Sequence, residues 1–364
     1  MKKSRIGLAF KYAPLYFRGF GEYHIKKRFG TLYPREVMFP VTYQCNARCL
    51  MCNIWAGSKK QELSLKQLES LLSDKLFNGV EVINITGGEP TLRKDLVQIA
   101  LMIQHKLPEL KKVTLTTNAL DTARVVRSCE EIARYYDEEG IDFLVEMSLD
   151  GLAEIHDTVR NVPNAFRRVR NTILKLRHLS EIHNFRISVN TVITPINLHG
   201  IQDLYNWCKQ QDLDEFFTLP SISKNYYSNL DKQFLIFTNE DKEYLVDLLD
   251  RFEKEKFPNF LAYYYHDLVR MTKNHQQRTT PCVFTSDAFI LDGYGDMYYC
   301  MKGEKIGNCL SRSCSEIYFD PKNLAHRQEI IENECPRCFI NCFSSIALGK
   351  EITRYIRYLT RSYK

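Results

Sequence analysis

The sequence contains no uninterrupted apolar run of the roughly 18 residues that a membrane-spanning helix takes. Its N-terminus also lacks an apolar segment followed by a small-residue cleavage site, so no secretory signal peptide is predicted. Neither an internal repeat nor a low-complexity segment is present, which argues against a repeat protein or a compositionally biased tract. From these absences we expect a folded, cytoplasmic protein.

A continuous basic face, as nucleic-acid-binding proteins have, is also missing, so no nucleic acid is expected as a partner. The formal net charge is +6, but residues 1–30 hold eight Lys and Arg against one Glu, and residues 343–364 hold five against one. At 6–29 and 346–363, Tyr, Phe and Leu alternate with basic residues, a pattern that suits peripheral contact with an anionic membrane surface. The alternative is that both ends form terminal helices packed on the main body.

Cysteine stands out in an otherwise ordinary composition. The chain has 364 residues, 26% charged and 44% hydrophobic, which suits two or three domains or one barrel with an appendage. Its 12 cysteines argue for metal binding over disulfides, because cytoplasmic thiols are kept reduced. Three lie at 45–52 and seven between Cys282 and Cys342; the isolated Cys129 and Cys208 are expected to be inert buried thiols.

Cys45, Cys49 and Cys52 form a C-x3-C-x2-C spacing directly after the extended apolar run 37–43. Three thiolates in so short a loop can surround one metal centre. A structural zinc ion takes four protein ligands, whereas a [4Fe–4S] cluster held by three cysteines keeps one iron free for another ligand. The spacing therefore favours a cluster with an open iron.

Strands and helices alternate through the following part of the chain, after a capping box formed by Ser64 and Gln67. The predicted strands are 80–85, 113–116, 143–149, 186–193 and 215–219, and the predicted helices between them are 93–106, 121–139, 165–180 and 200–211. This order indicates right-handed βαβ units and a parallel sheet. Because polar residues follow these strands directly, and barrel loops converge at one mouth, a partial or full α/β barrel is favoured over an open doubly wound sheet.

The character of the sequence changes past Thr280. A polar loop is predicted at 221–238 and an amphipathic helix at 239–256. Two short apolar runs at 288–291 and 297–299 then flank an Asp- and Gly-rich turn, which predicts a hairpin. With the surrounding cysteines, this region is expected to be a small domain tied by metal.

These motifs together resemble the radical S-adenosylmethionine (SAM) superfamily over residues 35–345. The resemblance rests on the three-cysteine loop, TGGEP at 86–90, SLDG at 148–151 and the second cysteine set. It implies an α/β fold with a partial (β/α)6 TIM-like parallel barrel, followed by a small cysteine-rich α+β domain of the twitch or SPASM type. The implied divisions are a basic N-terminal helical extension (1–34), the barrel (35–222), a connecting helical segment (223–279), the auxiliary cluster domain (280–345) and a basic C-terminal helix (346–364).

The resemblance implies that Cys45, Cys49 and Cys52 bind a [4Fe–4S] cluster. In this superfamily SAM chelates the cysteine-free iron, and an injected electron breaks its S–C5′ bond to release a 5′-deoxyadenosyl radical. Gly87, Gly88 and Glu89 correspond to the motif that holds the methionine amino group, with the glycines allowing close approach and Glu89 accepting from the ammonium.

Further SAM contacts are implied at the ends of later strands. Ser148 and Asp150 correspond to positions that contact the ribose. Arg160 is a candidate for the SAM carboxylate, and Asn118 and Asn190 are further candidates. The sequence departs from the family pattern at position 51, where Met51 replaces the usual aromatic residue before the third cysteine, so the packing expected around the adenine is in doubt.

One auxiliary [4Fe–4S] cluster is implied by the C-terminal cysteines, because no cysteine follows Cys342 to complete a second. Cys309 and Cys314 match no family position and are expected to be free thiols. A four-cysteine zinc site is the alternative for this region. The implied ligands are Cys282, Cys300, Cys335 and Cys338, with Cys342 as the alternative fourth ligand.

The function implied is hydrogen abstraction from an unidentified substrate, with the auxiliary cluster assisting oxidation or coupling. Relatives act on peptides, protein side chains or small sugar-like molecules, and the basic ends add a lipid or glycan precursor to these options. A reductant such as flavodoxin or ferredoxin is an implied partner. The alternative from another class is a non-catalytic, zinc-stapled protein that binds nucleic acid through its basic ends.

Overall fold

The computed structural model describes residues 32–57, 60–342 and 345–361. Within them, one sheet runs through the molecule in the strand order β6-β5-β4-β3-β2-β1-β7-β8-β9. Strands β1 to β7 pair in parallel, and β8 and β9 are antiparallel. The strands are β1 (Glu36–Thr42), β2 (Val82–Gly87), β3 (Lys112–Thr117), β4 (Asp142–Ser148), β5 (Arg186–Val192), β6 (Asp214–Thr218), β7 (Ala288–Leu291), β8 (Asp296–Tyr298) and β9 (Gly307–Asn308).

Helices cover the outer face of the parallel strands, which gives the predicted partial TIM-like barrel. Each strand and helix predicted between residues 80 and 256 is present, with ends that differ by at most a few residues, and the predicted capping box at Ser64 is formed. The helices are α1 (Leu65–Leu72), α2 (Leu96–Lys106), α3 (Thr122–Glu138), α4 (Ala153–Arg160), α5 (Ala165–Ile182), α6 (Ile201–Gln210), α7 (Asn239–Lys256), α8 (Phe260–Asn274), α9 (Cys314–Tyr318), α10 (Pro321–Asn333), α11 (Ser345–Lys350) and α12 (Ile352–Arg361).

Alternation along each strand separates a packed outer face from a polar inner face. In β4, Phe143, Val145 and Met147 belong to the main core, where the Phe143 ring meets Tyr136 of α3 edge to face. The residues between them point the other way and are partly exposed, as Glu146 is. The inner face is therefore available to a ligand near the carboxyl ends of the strands.

The C-terminal hairpin extends the sheet of the barrel. The sequence predicts the hairpin β7–β8, and the structure contains it, but β7 also pairs in parallel with β1. In the turn, the Asp292 side chain accepts hydrogen bonds from the backbone N–H groups of Tyr294 and Asp296, and Gly295 adopts a positive φ of 80°. The cysteine-rich region thus continues the edge of the barrel.

The C-terminal helix α12 is packed on the main body, as the second of the two interpretations of the basic ends predicts. Ile352, Tyr355 and Tyr358 lie in one buried cluster with Ala262 and Tyr263 of α8. The N-terminal extension lies outside the described residues. No helix in the part of the chain that the structure describes combines the length and the apolar character that crossing a membrane takes.

Candidate active site

The three-cysteine loop leaves the carboxyl end of β1, at the mouth of the barrel. Cys45, Cys49 and Cys52 are free and partly exposed. Two of the sulfurs already receive backbone N–H groups, since Ala47 N lies 3.5 Å from Cys45 Sγ and Ile54 N lies 3.5 Å from Cys52 Sγ. Such donors suit sulfur that carries negative charge.

Two side chains from other elements, the end of α4 and the loop after β3, also approach these sulfurs. Arg160 Nη1 lies 3.6 Å from Cys49 Sγ, and Asn118 Nδ2 lies 3.7 Å from Cys45 Sγ. Burial raises the pKa of Cys45 to about 11 and that of Cys52 to about 12, so binding a metal must displace protons. A cationic guanidinium and an amide beside the sulfurs fit the anionic thiolate cluster that the spacing predicts.

Met51 is buried beneath the cysteine loop, with Cys49 and Cys52 packed against its cluster. Its side chain is 8% exposed and packs in a small apolar cluster with Val159 and Leu235. Its backbone oxygen accepts a hydrogen bond of 2.9 Å from Asn229 Nδ2, while Leu50 N donates to Val159 O at 2.9 Å. Methionine in place of an aromatic residue therefore anchors the loop to α4 and to the segment that follows β6.

Both glycines of the Gly-Gly-Glu turn press against the start of the cysteine loop. Gly87 has a φ of +133°, and a Cβ there would lie 2.1 Å from Thr42 O. A Cβ on Gly88 would lie 2.2 Å from Gln44 O. The close approach predicted for these glycines is made to the chain itself, so they fix where the first cysteine stands.

Glu89 is 1% exposed and joins this turn to the end of β3. Its Oε1 accepts from Thr91 N, Thr91 Oγ1 and Thr117 Oγ1, and its Oε2 accepts from Asn118 N at 2.7 Å. Burial raises its pKa although these four hydrogen bonds oppose the shift. The carboxylate thus positions Asn118 beside Cys45, and its predicted contact with the SAM ammonium stays a prediction.

Asp150 is fully buried behind Arg160. Its Oδ2 forms an ion pair with Arg160 Nε at 2.6 Å, and its Oδ1 accepts from Val192 N at 3.0 Å. The backbone N–H of Asp150 donates to His156 Nδ1 at 3.0 Å, and burial lowers the pKa of this histidine, which keeps it neutral. Because both carboxylate oxygens are engaged within the protein, a role for Asp150 at a ribose stays a prediction.

Glu146 is a site residue that the sequence reasoning missed. It lies on the inner face of β4, two residues before Ser148, and its Oε2 accepts from Asn190 Nδ2 at 3.0 Å. Ser148 pairs in register with Asn190 of β5, so both predicted SAM contacts lie on this inner face. The available signal was a carboxylate at the inward position of an otherwise apolar alternating strand.

The second cysteine set lines one cavity in the C-terminal region. The thiol of Cys342 is hydrogen-bonded to Cys282, which lowers the pKa of Cys282 to about 6, and Arg278 nearby works in the same direction. Lys302 N lies 3.3 Å from Cys300 Sγ, which adds a donor to sulfur here too. The cysteines that line the cavity are Cys282, Cys300, Cys335, Cys338 and Cys342.

Five cysteines line this cavity, so the structure brings both predicted alternatives for the fourth ligand to one place. Arg278 donates to the backbone oxygens of Cys338 and Ile340, at 3.3 and 2.7 Å, and so holds the last cysteine segment against the cavity. Cys309 and Cys314 lie in the main core and are not among the residues that line the cavity; their expected role as free thiols stays a prediction.

Comparison with known proteins identifies the domain to which this site belongs. Residues 39–208, which contain the cysteine loop, the Gly-Gly-Glu turn, Asp150, Arg160 and Asn190, match the radical SAM superfamily. The chain contains a radical SAM domain. A [4Fe–4S] cluster and SAM are the cofactors of this superfamily, and the matched segment contains the three-cysteine loop and the Gly-Gly-Glu turn.

Among curated proteins, the chain is similar to the Fe-coproporphyrin III synthase of Methanosarcina barkeri, with 26% identity over 49% of this chain and 41% of that protein. It is also 28% identical to the GTP 3',8-cyclase of Synechocystis sp., over 50% of this chain and 52% of the cyclase. The chain therefore spans about half the length of these relatives. Their names describe different reactions.

The fold of the radical SAM domain and its C-terminal extension occurs in solved structures. Native anSMEcpe with bound AdoMet aligns with 90% of this chain and 100% of its own, at a TM-score of 0.59 and 17% identity. Streptococcus suis SuiB bound to the precursor peptide SuiA aligns with 89% of this chain and 78% of its own, at a TM-score of 0.57 and 18% identity. At these identities the likeness establishes the fold, including the region past the barrel.

Proposed function

We propose that this protein is a radical SAM enzyme that cleaves SAM reductively and abstracts a hydrogen atom from a substrate in the barrel. The observation that carries the proposal is the three-cysteine loop at the barrel mouth. Its free, partly exposed thiols are contacted by Arg160 and Asn118 and lie in the segment that matches the superfamily.

The chain's own residues prepare this site in three ways. Gly87 and Gly88 hold the loop close to the end of β2, Glu89 fixes Asn118, and Asp150 orients Arg160. Cys45, Cys49 and Cys52 would hold a [4Fe–4S] cluster, which would pass an electron from an external reductant to SAM bound at its open iron. The inner face of the strands then shields the reacting groups from bulk water.

A second [4Fe–4S] cluster at the C-terminal cavity is the further part of the proposal. Five cysteines line this cavity, and four are enough for one cluster. Cys282, Cys300 and Cys335 are assigned as ligands, with Cys338 or Cys342 as the fourth. The cluster would assist oxidation or coupling of the substrate, as the family resemblance implies.

The partners follow from this chemistry. Radical SAM enzymes need a reductant and a substrate; we propose flavodoxin or ferredoxin as the electron donor and the cytoplasm as the place of action, because cluster thiolates need reducing conditions. The names of the relatives point to a porphyrin, a nucleotide and a peptide. Because these substrates belong to different classes, the substrate class of this protein must be inferred from other observations. The proposal of peripheral membrane contact rests on the basic residues of the two ends, because the apolar face of α12 packs against α8.

Anaerobic reconstitution tests the proposal, with metal analysis followed by a dithionite-driven assay for 5′-deoxyadenosine. About eight irons per chain and SAM cleavage are expected if both clusters form. Cys45→Ala should abolish cleavage, whereas Cys282→Ala should keep about four irons and some cleavage. Cys129→Ala is the matched control, since this thiol is buried in the core and should leave both readouts unchanged.

Two outcomes would contradict the proposal. Zinc in place of iron, with SAM left uncleaved, would contradict the enzyme hypothesis and favour a metal-stapled binding protein. Four irons per wild-type chain, lost only on substitution of Cys45, would contradict the auxiliary cluster and support the radical SAM site alone.

A further inference from the structure

Two side chains on the inner face of the barrel, Glu146 and Asn190, are hydrogen-bonded to each other, and each keeps one acceptor atom without a donor among the described residues. Glu146 Oε1 makes no hydrogen bond within the part of the chain that the structure describes, and Oε2 is taken by Asn190. Asn190 Oδ1 is buried and also has no partner among the described residues. Buried or half-buried acceptors are normally satisfied, so this pair indicates that something outside the chain supplies the donors.

The neighbours of this pair hold its geometry. Thr116 on β3 is the register partner of Glu146, and its hydroxyl donates to Glu146 Oε2 at 3.4 Å. The Asn190 amide donates to the same oxygen at 3.0 Å. With both donors on Oε2, Oε1 is left without a donor among the described residues. Burial raises the pKa of Glu146, although Asn190, Thr116 and the charge of Lys112 oppose this.

The depth of Glu146 separates it from the rim where SAM is proposed to sit. Ser148 ends β4 at the mouth, beside the turn to Asp150. Glu146 is two residues earlier on the same inner face, which places it roughly 6–7 Å further into the barrel. Asn190 starts at the rim, level with Ser148, and its side-chain amide reaches Glu146 Oε2. A group bound there would lie beneath SAM, on the side where the hydrogen that the radical abstracts must be held.

The charge at this position decides between two kinds of donor. An ammonium would bind Glu146 but would meet the positive charge of Lys112, whose side chain starts on the inner face of β3 and acts on Glu146. Neutral hydroxyls carry no such penalty. Two neighbouring hydroxyls also match two neighbouring acceptors, since a carboxylate oxygen and an amide oxygen can each accept one.

We propose that Glu146 and Asn190 form a substrate subsite for a vicinal diol, as in a sugar or another polyol, beneath the SAM position. The role of this subsite in the reaction rests on the proposed function, whereas the binding of a diol depends on the Glu146 and Asn190 side chains themselves. The same diol chemistry occurs in the ribose of SAM, so the experiment must separate the two sources.

The test measures two equilibria on the reconstituted, anaerobic protein. SAM binding is measured first for the wild type and for Glu146→Gln, and unchanged affinity is expected, within about twofold. The SAM-saturated protein is then titrated calorimetrically with four probes, namely methyl α-D-glucoside, myo-inositol, N-acetylserinamide and ethylamine. Glu130→Gln on the exposed face of α3 is the matched control.

A polyol probe should bind the wild type and Glu130→Gln alike and bind Glu146→Gln about tenfold or more weakly, because hydrogen bonds to a charged acceptor are the stronger class. Loss of SAM affinity in Glu146→Gln would overturn the proposal by assigning the pair to the SAM ribose. Binding only of N-acetylserinamide or only of ethylamine, no polyol binding to the wild type, or equal polyol binding by both would also overturn it.

Failure of this proposal can be told apart from failure of the proposed function. The 5′-deoxyadenosine assay reports on SAM cleavage without any polyol, whereas the titrations report on binding without any turnover. Thermal unfolding of Glu146→Gln, expected to match the wild type because glutamine keeps the shape and both hydrogen-bonding neighbours, excludes a folding defect as the cause of lost binding.

Discussion

The buried ion pair between Arg160 and Asp150 gives a sharp prediction about stability. Arg160 is 9% exposed and Asp150 is 0% exposed, and their Nε and Oδ2 atoms are 2.6 Å apart. Replacing Arg160 by methionine keeps most of the apolar volume but leaves a carboxylate buried without its counter-charge. Removal of one partner from such a pair typically costs about 3–5 kcal/mol, so Arg160→Met should lower the free energy of unfolding by about that amount.

The double variant Asp150→Asn/Arg160→Met isolates the charge effect. With both charges removed, the desolvation penalty of the lone carboxylate disappears, and we expect recovery of at least about 1 kcal/mol relative to Arg160→Met. Urea unfolding under anaerobic conditions, at equal iron content for all proteins, measures each free energy. Arg124→Met is the control, because its ion pair with Asp121 is exposed and should contribute less than about 1 kcal/mol.

The reasoning would be refuted by a cost below about 1 kcal/mol for Arg160→Met, or by a double variant no more stable than the single one. Either result would mean that Asp150 is hydrated or protonated in the folded protein, and that Arg160 is held at Cys49 by other contacts.

Three further predictions test other parts of the site. Burial raises the pKa of Asp292 to about 6, so this carboxyl stabilises the fold most at low pH and loses that contribution as pH rises. In urea titrations, the free energy of unfolding of Asp292→Asn should therefore gain about 1 kcal/mol relative to the wild type between pH 5 and 7.5. A difference that does not change with pH would contradict the raised pKa. Gly87→Ala should prevent full iron loading, whereas Gly140→Ala, which meets no atom within 4 Å, should change stability only through its positive φ; equal iron content in both would refute the clash. Cys309→Ser and Cys314→Ser should leave the iron content unchanged, and loss of iron in either would make that thiol a ligand.

The parallel strands of the barrel could be predicted because each one has a recognisable pattern of its own and a helix follows it. Helix α4 could not: its sequence 153–160 is short and polar and follows a turn motif, so His156 and Arg160 looked like loop residues. Its position depends on tertiary contacts, including Val159 against Met51 and Arg160 against Asp150. The sequence could therefore place Arg160 near the site but could not show which carboxylate holds it.

Gly87, Gly88 and Glu89 show a second reason why parts of the site could not be predicted from the sequence. A motif tells which residues gather at a turn, but the partner of each depends on distances that only the fold supplies. Gly87 and Gly88 are needed because Thr42 O and Gln44 O come within 2.2 Å of where a Cβ would be. The free acceptor of Glu146 depends in the same way on Asn190, which is 44 residues away in sequence.

The attachment of the C-terminal hairpin has a consequence for how the two cysteine sets are related. Gly293 N donates to Pro40 O at 2.7 Å, and Tyr43 donates to Asp292 Oδ2 at 2.9 Å, so the hairpin turn rests on the carboxyl end of β1. The first cysteine loop leaves that same end at Cys45. Because β7 and the loop are both positioned by one strand, a shift of β1 moves both cysteine sets together. The spacing between the two sites is therefore set by sheet hydrogen bonds, and a flexible linker between independent domains would not give it.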